Sequence, residues 1–127
     1  MPQRHVLLGA WLLAWAFFGL PWSGLAAEPR VDDIWWGLAI APGRRALTDV
    51  LLNVAFYVPF GILAGRAAAW PAALGAAALL SLFTEAAQLY SETRFPAIID
   101  LVFNTAGAAL GIALARLRER MRRNGTG

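Results

Sequence analysis

Between Ser81 and Gly111 the chain reads SLFTEAAQLYSETRFPAIIDLVFNTAGAALG, and Glu85, Gln88, Arg94, Asp100 and Asn104 all fall within this stretch. Two carboxylates, two carboxamides and one guanidinium make a versatile binding set. Carboxylates accept from amines and hydroxyls, amides donate and accept, and a guanidinium grips a carboxylate or phosphate with forked bonds. Upstream, Asp49, Asn53 and Tyr57 follow i, i+4 spacing and so share one helix face. Glu85 and Asp100 could act as a general acid and base. The carboxylates, with Asn53, Gln88 and Asn104, could also ligate a hard cation such as Mg²⁺ or Ca²⁺. No nucleophile arrangement and no recognised metal spacing accompanies them, so no cofactor is implied.

The composition decides where such a set must sit. Of the 127 residues, 59% are hydrophobic and 15% charged, which favours an integral membrane protein of one domain over a soluble one. A charge within a membrane helix costs about 2.5–3.5 kcal/mol on insertion scales, so these groups should face other helices or water. The absence of cysteine removes thiol chemistry, disulfides and Cys-type metal sites. The single histidine, His5, lies in the N-terminal head, which leaves no Ser-His pair or His-based metal site. All 11 basic residues are arginines, and they cluster beside apolar spans. They therefore set orientation and touch anionic lipid rather than bind nucleic acid.

Four apolar stretches predict an all-α bundle of four transmembrane helices. Val6 to Trp22 is the first; it either spans as a helix or serves as a signal segment, cleaved near Leu25-Ala26-Ala27 so that residues 1–27 are lost. Its tryptophans Trp11, Trp15 and Trp22 read as lipid-facing bulk and interfacial anchors. Ser23 to Arg45 is a linker, whose IWWGLAIAP segment suits either the membrane surface or a loop packed on helix ends. Ala46 to Gly65 is the second span, with Pro59 expected to bend it. Ala69 to Tyr90 is the third, with Pro71 in its first turn and a stripe of Ala73, Ala77, Ser81, Glu85 and Gln88 facing protein. Ile98 to Ala115 is the fourth, with Asp100, Asn104, Gly107 and Gly111 on one face. Its GxxxG spacing suggests a buried helix contact below the polar cluster. The tail RLRERMRRNGTG reads as basic and frayed.

With the N-terminus inside and four spans, Arg4, Arg66, Arg116, Arg118, Arg120, Arg122 and Arg123 are cytoplasmic, and Arg30, Arg44, Arg45 and Arg94 lie outside. Seven against four satisfies the positive-inside rule and places both termini in the cytoplasm of a multi-pass plasma-membrane protein. Asp49, Asn53, Glu85, Gln88, Asp100 and Asn104 then fall in one leaflet, Asn53 about 10 Å below its surface. Arg94, in the outer turn, could reach down to them as the local counter-charge.

The ordered set Asn53, Pro59-Phe60-Gly61, Glu85 with Gln88, Arg94, then Asp100, Asn104-Thr105, Gly107 and Gly111 resembles the VanZ-like family over about Leu47 to Gly111. The resemblance implies a small bacterial membrane protein related to an accessory factor of low-level teicoplanin resistance, a class rather than a reaction. The N-terminal third matches no pattern of that family.

Four roles for the cluster follow. It could fix helix packing, at about 0.6 kcal/mol per interhelical hydrogen bond, although three acids and one base do not neutralise. It could bind a cell-envelope ligand: a peptidoglycan precursor, a lipid head group or a glycopeptide drug. It could act enzymatically on a lipid-linked envelope substrate. It could serve a small proton-coupled exporter, which the absence of any ionisable residue from the first span disfavours. The expectation is an accessory envelope protein that binds through Asn53, Glu85, Gln88, Arg94, Asp100 and Asn104. Its partners would be membrane lipid and a cell-wall precursor or glycopeptide, with a homo-oligomer left open.

Overall fold

The structure, a computed structural model, describes residues 2–34 and 44–125. Four α-helices follow in order: α1 (Pro2–Gly19), α2 (Arg44–Ala67), α3 (Trp70–Gln88) and α4 (Ile98–Asn124), with a short 3-10 helix at Val31–Asp33. Among the described residues the only β pairing is an isolated antiparallel bridge between Leu25 and Ser91. Most of the IWWGLAIAP segment lies outside the described residues.

Three helical stretches are long and apolar enough to cross a membrane: Leu47–Arg66, Trp70–Gln88 and Ile98–Asn124. The first helix falls short of that standard. It opens on Pro2-Gln3-Arg4-His5 and ends at Gly19 rather than Trp22. Its apolar stretch Val6–Gly19 is therefore roughly 20 Å long, against a hydrocarbon core of about 30 Å. Pro21 explains the early stop, because the residue before a proline is driven out of the helical region. Trp22 folds back instead, and its indole N–H donates to the carbonyls of Ala16 and Phe17, both at 3.1 Å. At the other end of the chain, α4 continues through the arginine-rich tail to Asn124 rather than fraying after Ala115.

The main contact of the bundle joins α2 to α4, which run parallel. Glycine makes this possible. A Cβ added at Gly61 would collide with the carbonyl of Ala108, one at Gly107 with that of Val54, and one at Gly111 with that of Val58. One Cβ at Gly65 would lie 2.9 Å from Ile112 Cγ1. The backbones meet at Gly61, Gly107 and Gly111, so the GxxxG of α4 rests on α2 around Gly61, while Gly65 makes room for the Ile112 side chain. Helix α3 runs antiparallel to both and packs its Ala73, Ala77 and Ser81 stripe inward. Helix α2 passes through Pro59 unbroken.

Helix α1 leans on α2 through Trp11, which is 7% exposed and packs against Phe60, Phe56 and Tyr57 at ring separations of 4.7, 5.3 and 5.4 Å. Its indole N–H donates to the Phe56 carbonyl at 2.8 Å, in the turn that Pro59 disturbs. Trp11 is thus part of the core, not lipid-facing bulk. Between α1 and α3 an open apolar groove of about 690 Å³ remains, lined by Leu8, Leu12, Ala76 and Phe83 among others.

Candidate functional site

The polar residues gather at the end of the bundle where α2 and α4 begin and α3 ends. At the opposite end Arg66 approaches Glu119 at 4.0 Å, and Arg116 lies over the Trp70 ring at 5.9 Å. The sequence-predicted convergence of three helices is present. Asp100, in the first turn of α4, faces Asn53 and Asp49 of α2 and lies within electrostatic range of Glu85 on α3. Asn104, one turn deeper on α4, donates from Nδ2 to Ser81 Oγ at 2.8 Å.

Glu85 has a specific partner. Its Oε2 accepts the backbone N–H of Ala97, the N-cap of α4, at 2.7 Å. The N-terminus of a helix leaves its first N–H groups unsatisfied. A glutamate three residues into a helix often bonds the N-cap amide. Here α4 has Asp100 at that position, and a carboxylate from α3 makes the bond instead. The positive end of the α4 dipole adds to the attraction. Glu85 therefore ties the end of α3 to the start of α4 and has little exposed surface. Gln88 is buried one turn on, and its carbonyl accepts the Ser91 amide at 3.0 Å.

Arg94 lies in the turn between α3 and α4, as the sequence suggests, but does not reach down to the carboxylates. It is exposed and forms no ion pair with Glu85 or Asp100. Its Nη1 donates to the Gly19 carbonyl at 3.4 Å. The C-terminus of α1 offers free carbonyls and a negative dipole end, which favour a cation as the buried carboxylates do, without the desolvation. Its own backbone amide donates to Ser91 Oγ at 3.1 Å within the turn.

Sequence reasoning missed Arg30 and Ser91. Ser91 is 1% exposed, and its carbonyl accepts Arg30 Nη1 at 2.8 Å. Arg30 also pairs with Asp33 at 2.6 Å and lies over the Phe95 ring at 5.3 Å. The linker after α1 is thereby fastened across the α3–α4 turn. The Ala26 and Arg30 amides donate to the Tyr90 and Leu89 carbonyls at 2.8 Å each, and the Glu92 amide to Gly24 at 2.7 Å. Gly24, at φ +62°, supplies the left-handed turn this return requires. No local sequence signal marks these bonds, since most run between backbone groups. Among the described residues no group of three or more His, Asp or Glu side chains is placed to hold a metal ion.

A parallel glycine-packed helix pair, an antiparallel third membrane helix and a polar cluster at one end define a small multi-pass membrane protein. The VanZ/LLP1 family model matches residues 8–119, and the chain belongs to that family. The match reaches into α1, so the N-terminal third is part of the family pattern, beyond the Leu47–Gly111 stretch that carried the resemblance. Neither a curated protein nor a solved structure matches the chain.

Proposed function

We propose that this protein is an accessory factor of the bacterial cell envelope that binds a cell-wall precursor, a lipid head group or a glycopeptide-like drug at its polar end. The observation that carries this reading is the placement of Asp49, Asn53, Glu85 and Asp100, from three helices, at one end of an apolar bundle. Glu85 and Asn104 also hold helices together, so Asp100 and Asn53 are the groups offered to a ligand, with Arg94 at the rim. Arg94 would meet a carboxylate or phosphate, and Asp100 an amine or hydroxyl. In this proposal α1 crosses as a fourth span, its basic head and the arginine-rich end of α4 remain in the cytoplasm, and the polar end faces outward.

The test is teicoplanin susceptibility of a bacterial host carrying single substitutions at Asn53, Glu85, Gln88, Arg94, Asp100 and Asn104, with membrane protein levels measured in parallel. Asp100→Asn and Arg94→Ala should keep the natural protein level and lose the resistance phenotype. A phenotype that falls only in step with protein level, at all six positions, would assign the cluster to packing alone.

A further inference from the structure

Helices α1 and α3 converge near the polar end, where the Trp15 ring lies 6.1 Å from that of Phe83 and Gly19 borders Thr84. Farther from that end they part, and the groove of about 690 Å³ opens between them. Leu8, Leu12 and Trp15 form one wall, Ala72, Ala76 and Phe83 the other, with Phe60 and Ala64 of α2 behind them. Every lining side chain is aliphatic or aromatic. From Ala72 to Phe83 the groove runs about 16 Å by helical rise. That is half of a hydrocarbon core about 30 Å thick, the depth that an acyl chain of one leaflet covers. Arg4 stands at the end of this groove. It precedes Leu8 by one helical turn and continues the Leu8–Leu12 row on the same face of α1. Both helices rise toward the Trp15–Phe83 contact, so Arg4 is about level with Ala72. Its side chain is exposed and, among the described residues, forms no ion pair. The only acid in these two helices is Glu85, at the far end of α3.

We propose that this groove is a binding site for an anionic phospholipid, with one acyl chain between α1 and α3 and the phosphate against Arg4. The lining selects a hydrocarbon, and the length of the groove selects a chain from one leaflet. The unpaired guanidinium selects the head group, because it meets phosphate oxygens with forked N–H bonds. A zwitterionic lipid carries its own cation beside the phosphate and gains less from Arg4. A second copy of this chain is the competing occupant. Inserted in the same orientation, it would bring its own arginine-rich end to the level of Arg4, where like charges oppose it. A lipid brings the opposite sign. The bound chain also supports α1 on its α3 side, where its packing against α2 through Trp11 does not reach. This site lies at the end opposite the polar cluster and does not rest on the envelope function.

Native mass spectrometry tests this on the full chain, released from micelles that hold equal amounts of phosphatidylglycerol and phosphatidylcholine with the same acyl chains. The natural chain should retain one phosphatidylglycerol, in several-fold preference to phosphatidylcholine. Arg4→Gln, at an exposed position, should erase that preference. Ala76→Phe, which fills the groove from its exposed α3 wall, should lower retention of both lipids several-fold. Leu110→Phe, on an exposed face of α4, should leave both unchanged. Equal retention of the two lipids by the natural chain would overturn the proposal. So would a preference that survives Arg4→Gln, which would put the head group at another arginine. A dimer that Ala76→Phe dissolves would give the groove to a second copy and overturn it too. If Ala76→Phe does not insert, the comparison of Arg4→Gln with the natural chain decides alone. No resistance phenotype enters this test, so its failure and that of the envelope function are distinguishable.

Discussion

Glu85 illustrates how much the bond to a backbone amide can govern a charged residue in a membrane protein. It accepts from Ala97 N–H at 2.7 Å, so its removal strands the amide at the head of α4. Glu85→Ala should cost about 1–3 kcal/mol, the penalty for a buried donor left unpaired. Glu85→Gln keeps an acceptor oxygen and should lose much less. Unfolding of both variants in mixed micelles measures the difference, and equal losses would show that the charge, not the acceptor, matters. Carboxylates and amides could be placed at one end from their spacing alone, since i, i+4 rows and helix direction fix their height. Their partners could not. A backbone N–H has no residue type to announce it, and this hides the tie from Glu85 to Ala97. The partner of Arg94 was hidden for a related reason: the carbonyl of Gly19, at the end of α1, takes its guanidinium and is invisible to a count of charges. Trp11 was misread because an indole suits lipid and core equally well.

At the scale of the element, the pairing of α2 with α4 rests on four glycines and was largely legible. Gly61, Gly65, Gly107 and Gly111 stand at four-residue intervals in two separate spans. What could not be read was that the two rows meet each other. Gly61→Ala, Gly107→Ala or Gly111→Ala should each force the helices apart and lower stability by about 1–3 kcal/mol, the usual cost of overpacking. Gly75→Ala, on an open face of α3, should be neutral or gain up to about 1 kcal/mol from helix propensity. Thermal denaturation in a bilayer mimetic across this set distinguishes contact from propensity; a uniform response would refute the close approach. The length of α1 escaped the sequence because hydropathy continues through Leu20 and Trp22, whereas the helix obeys Pro21.

For the whole molecule, the N-terminal segment is built into the bundle. Trp11 fills the core beside Phe60, and the chain after α1 pairs with residues 89–92. A chain cut before Glu28 would lose the Trp11 packing and half of that pairing. Intact-mass measurement of the membrane-purified protein should therefore find residues 1–27 still attached. Trp11→Ala should cost about 3–5 kcal/mol, as for other buried large-to-small changes, and reduce the level of protein in the membrane. A mature mass beginning near Glu28, with full stability, would contradict this.

The parallel contact between α2 and α4 also sets an order of events during biosynthesis. These two helices are separated by all of α3, so α2 emerges from the ribosome well before the surface it is shaped to meet. Until α4 arrives, the glycine row of α2 has no backbone to rest against, and Asp49 and Asn53 must wait in contact with lipid, water or the insertion machinery. A nascent chain stalled after α3 would be the species most exposed to quality-control proteolysis.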